Sequence, residues 1–573
     1  MTSINLKGEK ESNDAVAEHF IVELEQKHGL QDEEDNQFDE LLKKVGMGVW
    51  QIKYIVTICF IQAFAPAQMI SSPFINMPLN FRCTSTDETY NFRNSSHGNI
   101  YDNKCIYDNI YLQQEELMNL IKFNESVKKI CNNFEYDNTT FISTVSSEFN
   151  LVCDKEWLSH FFQMTLMIGL TLGSLFTGLG DKWGRLIILR VAVCISLAGV
   201  LMVGFSPNYY LILLGRFLIG FFFPLMNISA YTLTMESVPP NFRPVVGAIV
   251  VIPYYISVMT IGGLSSLIRK WRIFHFIISI HIFLLGVIVF VIDESPMWLA
   301  QQGRTDEAVK GMRNAAKLNR RKIPAKKHML KYMGHRRISI FGSTVLTKDL
   351  NKTIFESIKD TLNTFFGSQA MRIITITLPL VWLFTGIVVI GVPLNANNFT
   401  DNPFLYMVLM GIFELISSLL ASFVIKRFGN IRTGIILHIG TGICLILILF
   451  LGEGLLMVKW ALVMVSRVLT GVNFVIVYLM GSQLFPTIAR TNGYGLCVFS
   501  MYFGFIFAAY INDAIAANVW WLFNSLCGIC SFLSAGLLLL LPETQGQPLC
   551  DTVQDVNDRS QRTPKNCHIL CKI

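Results

Sequence analysis

Long apolar runs alternate along the chain with polar segments, some of a few residues and two of great length. The runs cover about 51–72, 158–179, 186–205, 209–231, 245–268, 272–292, 373–394, 403–424, 432–452, 456–482, 493–511 and 519–541. A bilayer core of ~30 Å needs about 20 helical residues, so the pattern predicts an all-α membrane protein with twelve transmembrane helices. The long polar segments, 73–156 and 293–371, fall after the first and sixth runs. The predicted organisation is therefore a tail (1–50), a six-helix half (51–292), a central loop (293–371), a second six-helix half (372–541) and a closing tail (542–573). The first tail ends in Phe38-Asp-Glu-Leu-Leu-Lys-Lys-Val-Gly46, a pattern that predicts a short amphipathic helix lying against the membrane. It contains no apolar signal-peptide core, so the first span is expected to act as its own insertion signal.

An internal repeat ties the halves together. Gly184 recurs as Gly429, and Glu236…Pro239…Arg243 recurs as Gln483…Pro486…Arg490 with the same internal spacing. Glu294-Ser-Pro recurs in Pro542-Glu543-Thr544. The echoes keep their order at nearly one offset, close to 247 residues. Such a repeat predicts two six-helix, pseudo-symmetric halves of the same orientation, with substrate bound near the midplane between them.

Charge then sets orientation. Charged residues make up 15% of the 573, against about 25% in a soluble domain. The net charge of +6 is not gathered into a stripe that would engage nucleic acid. Lys182, Arg185, Arg243, Lys426, Arg427 and Arg490 fall on the side shared by both tails, as does the lysine- and arginine-rich central loop. Basic loops stay inside, so both termini are expected in the cytoplasm. Arg269, Lys270 and Arg272 fall on the opposite side and run against the rule.

Segment 73–156 carries Cys83, Cys105, Cys131 and Cys153, and heads sequons at Asn94, Asn124 and Asn138. Four cysteines in an outward loop predict two disulfides, in one of three pairings. Their spacing lacks a C-x₂-C pair, which argues against a zinc site. The sequons agree with an extracellular, glycosylated loop.

The chain resembles the organic cation/anion transporter family of the major facilitator superfamily. The resemblance runs over nearly the whole length, through Glu148-Phe-Asn-Leu-Val-Cys-Asp154, Gly178-Leu-Gly-Asp-Lys-Trp-Gly-Arg185, Glu294-Ser-Pro-Met-Trp-Leu299 with Gly303-Arg304, Ser482-Gln-Leu-Phe-Pro-Thr487 with Arg490, and Leu541-Pro-Glu-Thr544. Glu294-Ser-Pro and Pro-Glu-Thr also look like sugar-porter motifs; the large first loop distinguishes the two families. The resemblance implies a plasma-membrane carrier of small organic ions working by alternating access, with no cofactor. It also implies that Trp382 in the seventh span and Tyr231 late in the fourth match cavity positions, and that Arg467 stands at the family's basic position in the tenth. This chain departs from the family pattern at Tyr502, where many cation carriers are acidic and anion carriers basic. It departs again at Val389, at Gln483 in place of a glutamate, and in the second loop motif, which lacks its aspartate.

Asp181, Arg185, Glu236, Arg243, Gln483 and Arg490 are expected to gate the inner mouth, since opposite charges at helix ends can part and rejoin; exposed pairs are each worth about 0–1 kcal/mol. Charges inside the membrane mark a cavity or a partner, which singles out Arg216, Glu414 and Arg467. Aromatic faces bind ammonium groups, which adds Trp382, Tyr231 and Tyr502 as substrate-binding candidates, with Tyr254, Tyr255 and Tyr478 as further lining. Glu414 favours organic cations or amine-bearing zwitterions. Arg216 and Arg467 make organic anions the runner-up, and the departures leave room for a transport-inactive sensor. No nucleophile–base pairing, metal cluster or phosphate-binding loop supports an enzyme.

Overall fold

The computed structural model describes residues 38–83, 106–109, 127–130, 133–324, 363–394, 402–451, 455–486, 489–512, 520–545 and 553–562, with Met329 and Cys550. Twelve helices follow the predicted runs closely. Numbering only these, the first half contains α1 Val49–Met69, α2 Glu156–Ser174, α3 Arg185–Phe205, α4 Tyr209–Ser237, α5 Pro240–Leu267 and α6 Trp271–Ile288. The second contains α7 Gln369–Leu394, α8 Pro403–Phe428, α9 Asn430–Leu447, α10 Leu456–Leu484, α11 Arg490–Ile511 and α12 Trp520–Leu538. Eleven of them are long and apolar enough to span a membrane, and α2, at 19 residues, supplies the twelfth position.

Two helices are not the unbroken rods that hydropathy predicts. The α5 span is interrupted at Val250–Val251, after which a new helix starts with Pro253 in its first turn; proline is tolerated there because the first-turn N–H has no intrahelical acceptor. The α6 span is interrupted at Ser279, whose hydroxyl accepts from Gln68 Nε2 at 2.8 Å.

Each half packs mostly within itself: α3 and α2 against α4 in the first, α7 against α11 and α12 in the second. The halves meet along two seams, α5 with α8 and α2 with α11. The α5–α8 seam is a close approach of backbones. A Cβ on Gly262 would lie 2.8 Å from the Phe404 carbonyl, and one on Gly411 would lie 2.5 Å from Met259 Cγ. At the end away from the tails the seam is closed by rings. Phe74, fully buried, stacks on Phe404 at 5.8 Å and 13°, and Phe141 meets Phe404 at 5.9 Å. Hydropathy registers such residues only as apolar, so this closure was not anticipated.

The segment after α1 forms two antiparallel ladders, Phe81–Cys83 with Phe134–Tyr136 and Ile106–Asn109 with Val127–Ile130. Its last stretch docks onto the α5–α6 turn. Ser143 bridges Lys270, and Ile142 N donates to the Arg269 carbonyl at 2.9 Å. Glu148 accepts from Trp271 Nε1 at 2.6 Å and pairs with Arg272 at 2.5 Å. Arg272 also donates to the Gly204 and Ser206 carbonyls, which lie past the end of α3's own hydrogen bonding. The basic cluster that opposes the charge rule is thus anchored to the loop by an acidic partner on the same side.

The predicted amphipathic helix is present over 38–45, but it does not lie on a lipid surface. Its apolar face of Phe38, Leu41, Leu42 and Val45 is buried within the protein. Asn319, after helix Thr305–Leu318 of the central loop, fastens its far end by donating to the Val45 and Gly46 carbonyls and accepting from Trp50 N.

Candidate transport site and gating elements

Three groupings emerge from the twelve candidate positions. The first is a pair of braces, one per half, at the tail-side helix ends. In the first half Gly184, at φ 104°, turns the chain into α3. That conformation favours glycine, and a Cβ there would lie 2.7 Å from Glu294 Oε2. Glu294 caps the new helix by accepting from Leu186 N at 3.0 Å, and it also accepts from Ser295 N at 3.0 Å. Burial raises the Glu294 carboxyl above its ordinary value, while the donors and Arg185 pull it back. Arg185, nearly buried, bonds Glu236 at 2.9 Å and the exposed Asp181 at 3.3 Å; the Ser295 hydroxyl also donates to Glu236.

The second half repeats this brace without the salt bridge. Gly429, at φ 89°, turns into α9, and a Cβ there would lie 3.0 Å from Glu543 Oε2. Glu543 accepts from Asn430 N at 3.0 Å and Ile431 N at 3.1 Å. Where Arg185 and Glu236 form a salt bridge, Asn430 Nδ2 donates to Gln483 Oε1 at 3.2 Å and to Thr544 Oγ1 at 2.6 Å. Gln483 is therefore half of a matched exchange. Asn430 is the member that sequence reasoning missed, although it follows Gly429 as Arg185 follows Gly184.

The described partners of each brace lie within its own half. Arg243, grouped with Asp181 and Glu236 from the sequence, instead pairs with Asp39 at 2.7 Å and donates to the Met235 and Val238 carbonyls. The side chain of its repeat partner, Arg490, lies outside the described residues.

The second grouping is the intramembrane charges. Glu414 of α8 and Arg467 of α10 form a buried ion pair, each about 5% exposed. Arg467 Nη1 donates to the Val389 carbonyl of α7 at 2.9 Å. Glu414 Oε2 and Arg467 Nε are buried without hydrogen-bond partners. The pair lies near the α5–α8 seam: Glu414 sits between Gly411 and Ser418, which face Tyr255, and Tyr254, Tyr255 and Tyr406 are within electrostatic reach of Arg467. Arg216 is separate. It is fully buried in the first half, donating to Gln163 Oε1 at 2.7 Å, Gln68 Oε1 at 3.4 Å and the Phe162 carbonyl at 3.4 Å, with its guanidinium 4.4 Å from the Phe162 ring.

The third grouping is aromatic. Trp382, fully buried, meets Tyr478 at 4.6 Å and Tyr494 at 5.6 Å; Phe474 adds a ring 4.6 Å from Tyr478. Tyr502 is buried beside them, within electrostatic reach of Tyr478 and Tyr494. Tyr231, 46% exposed and in the other half, lies within electrostatic reach of Tyr494. Tyr231 and Tyr478 are 247 residues apart, the Glu236–Gln483 offset, so the repeat places one tyrosine in each half.

Of the loop candidates, Asn138 is exposed, while Asn94, Asn124, Cys105, Cys131 and the side chain of Cys83 lie outside the described residues. Among the described residues no group of three or more His, Cys, Asp or Glu side chains is placed to hold a metal.

Two six-helix halves with matching braces, meeting along two seams, define the major facilitator transporter fold. Residues 58–555 match the family described as Sugar (and other) transporter, and the chain belongs to that family, one of carriers rather than enzymes. Among its relatives is Solute carrier family 22 member 3 of Mus musculus, 28% identical over 72% of each chain. Organic cation transporter protein of Drosophila melanogaster is 24% identical over 90% of this chain and 94% of its own. Solute carrier family 22 member 6 of Pseudopleuronectes americanus is 27% identical over 76% and 75%. Among solved structures, the inward-open xylose transporter XylE from E. coli superposes with a TM-score of 0.57 at 15% identity, covering 89% of this chain and 99% of its own. The resemblance read from the motifs and the twelve-helix fold class therefore both hold.

Proposed function

We propose that the chain is a plasma-membrane secondary carrier of small organic ions bearing an amine, with both tails in the cytoplasm. The observation that carries this reading is the buried Glu414–Arg467 pair near the α5–α8 seam, with tyrosines of both halves within electrostatic reach. A charge at membrane depth is retained where it meets a partner or a permeant ion. Rocking of the halves about their seams exposes the pair and the Trp382–Tyr478–Tyr494–Tyr502 cluster in turn. Ring faces hold the ammonium, and Tyr231 meets it on the tail side. The names of the relatives, carriers of organic cations among them, are consistent with this. Asp181, Arg185, Glu236 and Gln483 serve gating by keeping each half rigid at its tail-side ends while the halves rock, Arg243 adds the 38–45 helix to the first half, and Arg490 is grouped with them by its place in the repeat alone.

The loop of 73–156 is extracellular, glycosylated at Asn94, Asn124 and Asn138 and closed by two disulfides among Cys83, Cys105, Cys131 and Cys153. Cys153 being disulfide-bonded supports the latter. One observation favours organic anions as a second reading: Arg216 is buried with amide and carbonyl partners, and among the described residues no carboxylate bonds it.

Uptake of radiolabelled amine and anion panels into cells expressing the chain tests the proposal. Saturable amine uptake, abolished by Glu414→Ala at unchanged surface level, is expected. Saturable anion uptake lost on Arg467→Ala, without amine uptake, would replace it with the second reading. Ligand binding without flux in proteoliposomes would leave a sensor instead of a carrier.

A further inference from the structure

We infer that the loop of 73–156 carries part of the outer gate: its Phe141, with Phe74, forms a ring socket on the first half, and Phe404 of the second half plugs that socket when the end of the α5–α8 seam away from the tails is closed. This rests on the carrier reading and its orientation, and adds a working part to them. Phe74 lies in the short helix Ser72–Ile75 after α1 and is backed edge-on by Phe274 of α6 at 6.4 Å. Phe404 stands in the first turn of α8, which starts at Pro403 and is capped by Asn402 Oδ1 accepting from Leu405 N at 3.1 Å. Both rings are thus set by the ends of helices from opposite halves, and they stack on each other.

Phe141 differs from them in that no spanning helix carries it. Its backbone is pinned on both sides by one residue: Arg269 Nη1 donates to the Thr139 carbonyl at 3.1 Å, and Ile142 N donates to the Arg269 carbonyl at 2.9 Å. Further on, Ser146 Oγ donates at 2.9 Å to Asn76 Oδ1, beside the Phe74 helix, and Glu148 is held by Trp271 and Arg272. Every described hydrogen bond that leaves residues 139–148 ends on the first half. The stretch therefore moves with that half, and its ring meets Phe404 across the divide. With Phe404 in place Phe141 is 2% exposed, so withdrawing Phe404 returns ring surface to water. Rocking that opens this end must part Phe404 from both rings at once. Such contacts favour the closed end and contribute nothing once parted, so they bias the equilibrium between the two openings, by roughly tenfold for two ring pairs. Rings that only packed the fold would change stability without changing which side is open.

Labelling of an introduced cysteine from outside reads that equilibrium without any substrate. Val408→Cys places a thiol one turn beyond Phe404 on the same face of α8. Intact cells expressing the full chain are treated with a membrane-impermeant, negatively charged methanethiosulfonate, and the rate is taken over that of the chain without the introduced cysteine. Phe404→Leu, which removes both ring contacts but stays apolar, should speed labelling about tenfold, and Phe141→Leu, which removes one, about threefold. The two together should do no more than Phe404→Leu alone, because they act on one contact, and Phe141→Tyr should keep the original rate. Arg272→Gln leaves all three rings in place; it should speed labelling by itself and add nothing once Phe141→Leu is present. Equal labelling of Phe404→Leu and the parent at matched surface level overturns the inference. So does an effect of Phe404→Leu with none of Phe141→Leu, or an Arg272→Gln effect that adds in full to that of Phe141→Leu, since either removes the loop from the gate. Where a leucine variant fails to reach the surface, methionine at the same position takes its place. Uptake of the amine and anion panels, measured in parallel, separates the two readings. Responsive labelling with no uptake keeps the gate while the carrier reading fails; saturable uptake with unresponsive labelling keeps the carrier and overturns the gate.

Discussion

The two braces solve one mechanical problem with different chemistry. Each holds the start of its half's third helix to the end of its fourth and to the segment after its sixth. Each uses a positive-φ glycine pressed against a capping glutamate. In the first half the cross-link is ionic, Arg185 to Glu236, with Ser295 as a second donor. In the second it is an amide pair, Asn430 to Gln483, with Thr544 in the serine's place. Both charges have been exchanged together. Viewed alone, Gln483 and the missing loop aspartate suggest a damaged copy; together with Asn430 they form a neutral one. Removing one partner of a buried ion pair strands a charge, whereas removing one amide forfeits a hydrogen bond. The halves should therefore differ in how they fail.

The largest expected effect comes from breaking the ionic brace alone. Glu236→Ala leaves Arg185, among the described residues, with exposed Asp181 as its one direct ion-pair partner, and roughly 3 kcal/mol of stability should be lost, read as a drop in the melting temperature of the purified protein; a loss no larger than that of Gln483→Ala would erase the contrast. Next, Arg185→Asn combined with Glu236→Gln grafts the amide brace into the first half. It should recover at least half of the stability lost in Arg185→Asn alone, since a neutral pair strands no charge. Recovery of none would mean that the charges do more than hold helices. Gly184→Ala and Gly429→Ala should each cost roughly 1–2 kcal/mol through the left-handed backbone. Gly184 should be the more sensitive, because its added carbon meets Glu294 at 2.7 Å against 3.0 Å for the Glu543 contact. Gln483→Ala should cost about 1 kcal/mol, one neutral hydrogen bond. The smallest effect is expected at Arg243→Ala, whose half-exposed pair with Asp39 is worth no more than about 1 kcal/mol; its readout is faster proteolysis of the 38–45 segment.

Much of this was legible in the sequence. Spanning helices follow from hydropathy because lipid tolerates no unpaired backbone, and their observed ends lie within a few residues of the runs. The offset near 247 exposed the halves and matched Glu294 with Glu543, whose capping role only the structure shows. What stayed hidden depends on which side chains meet across elements. Nothing local distinguishes Phe74 and Phe404 from lipid-facing phenylalanines. Arg243 has the same sequence context whether its partner is Glu236 or Asp39. The amphipathic face of 38–45 is as compatible with lipid as with the protein surface that covers it. Glu414 and Arg467 were each visible as costly residues, with ligand contact or charge balance for Glu414 both open to Arg467; that they pair is a fact of packing.

The clasp between Glu148 and Arg272 has a consequence for biosynthesis. In the orientation proposed above, Arg269, Lys270 and Arg272 resist crossing to the far side, and Glu148, 124 residues earlier than Arg272, is the countercharge they meet. In that orientation the acid is made and exported before the bases emerge, so it waits on the far side as a receptor for the turn between α5 and α6. The order of residues along the chain thus doubles as an order of events. Moving the acid downstream of the bases would leave every final contact drawable on paper and take away the step that leads to them.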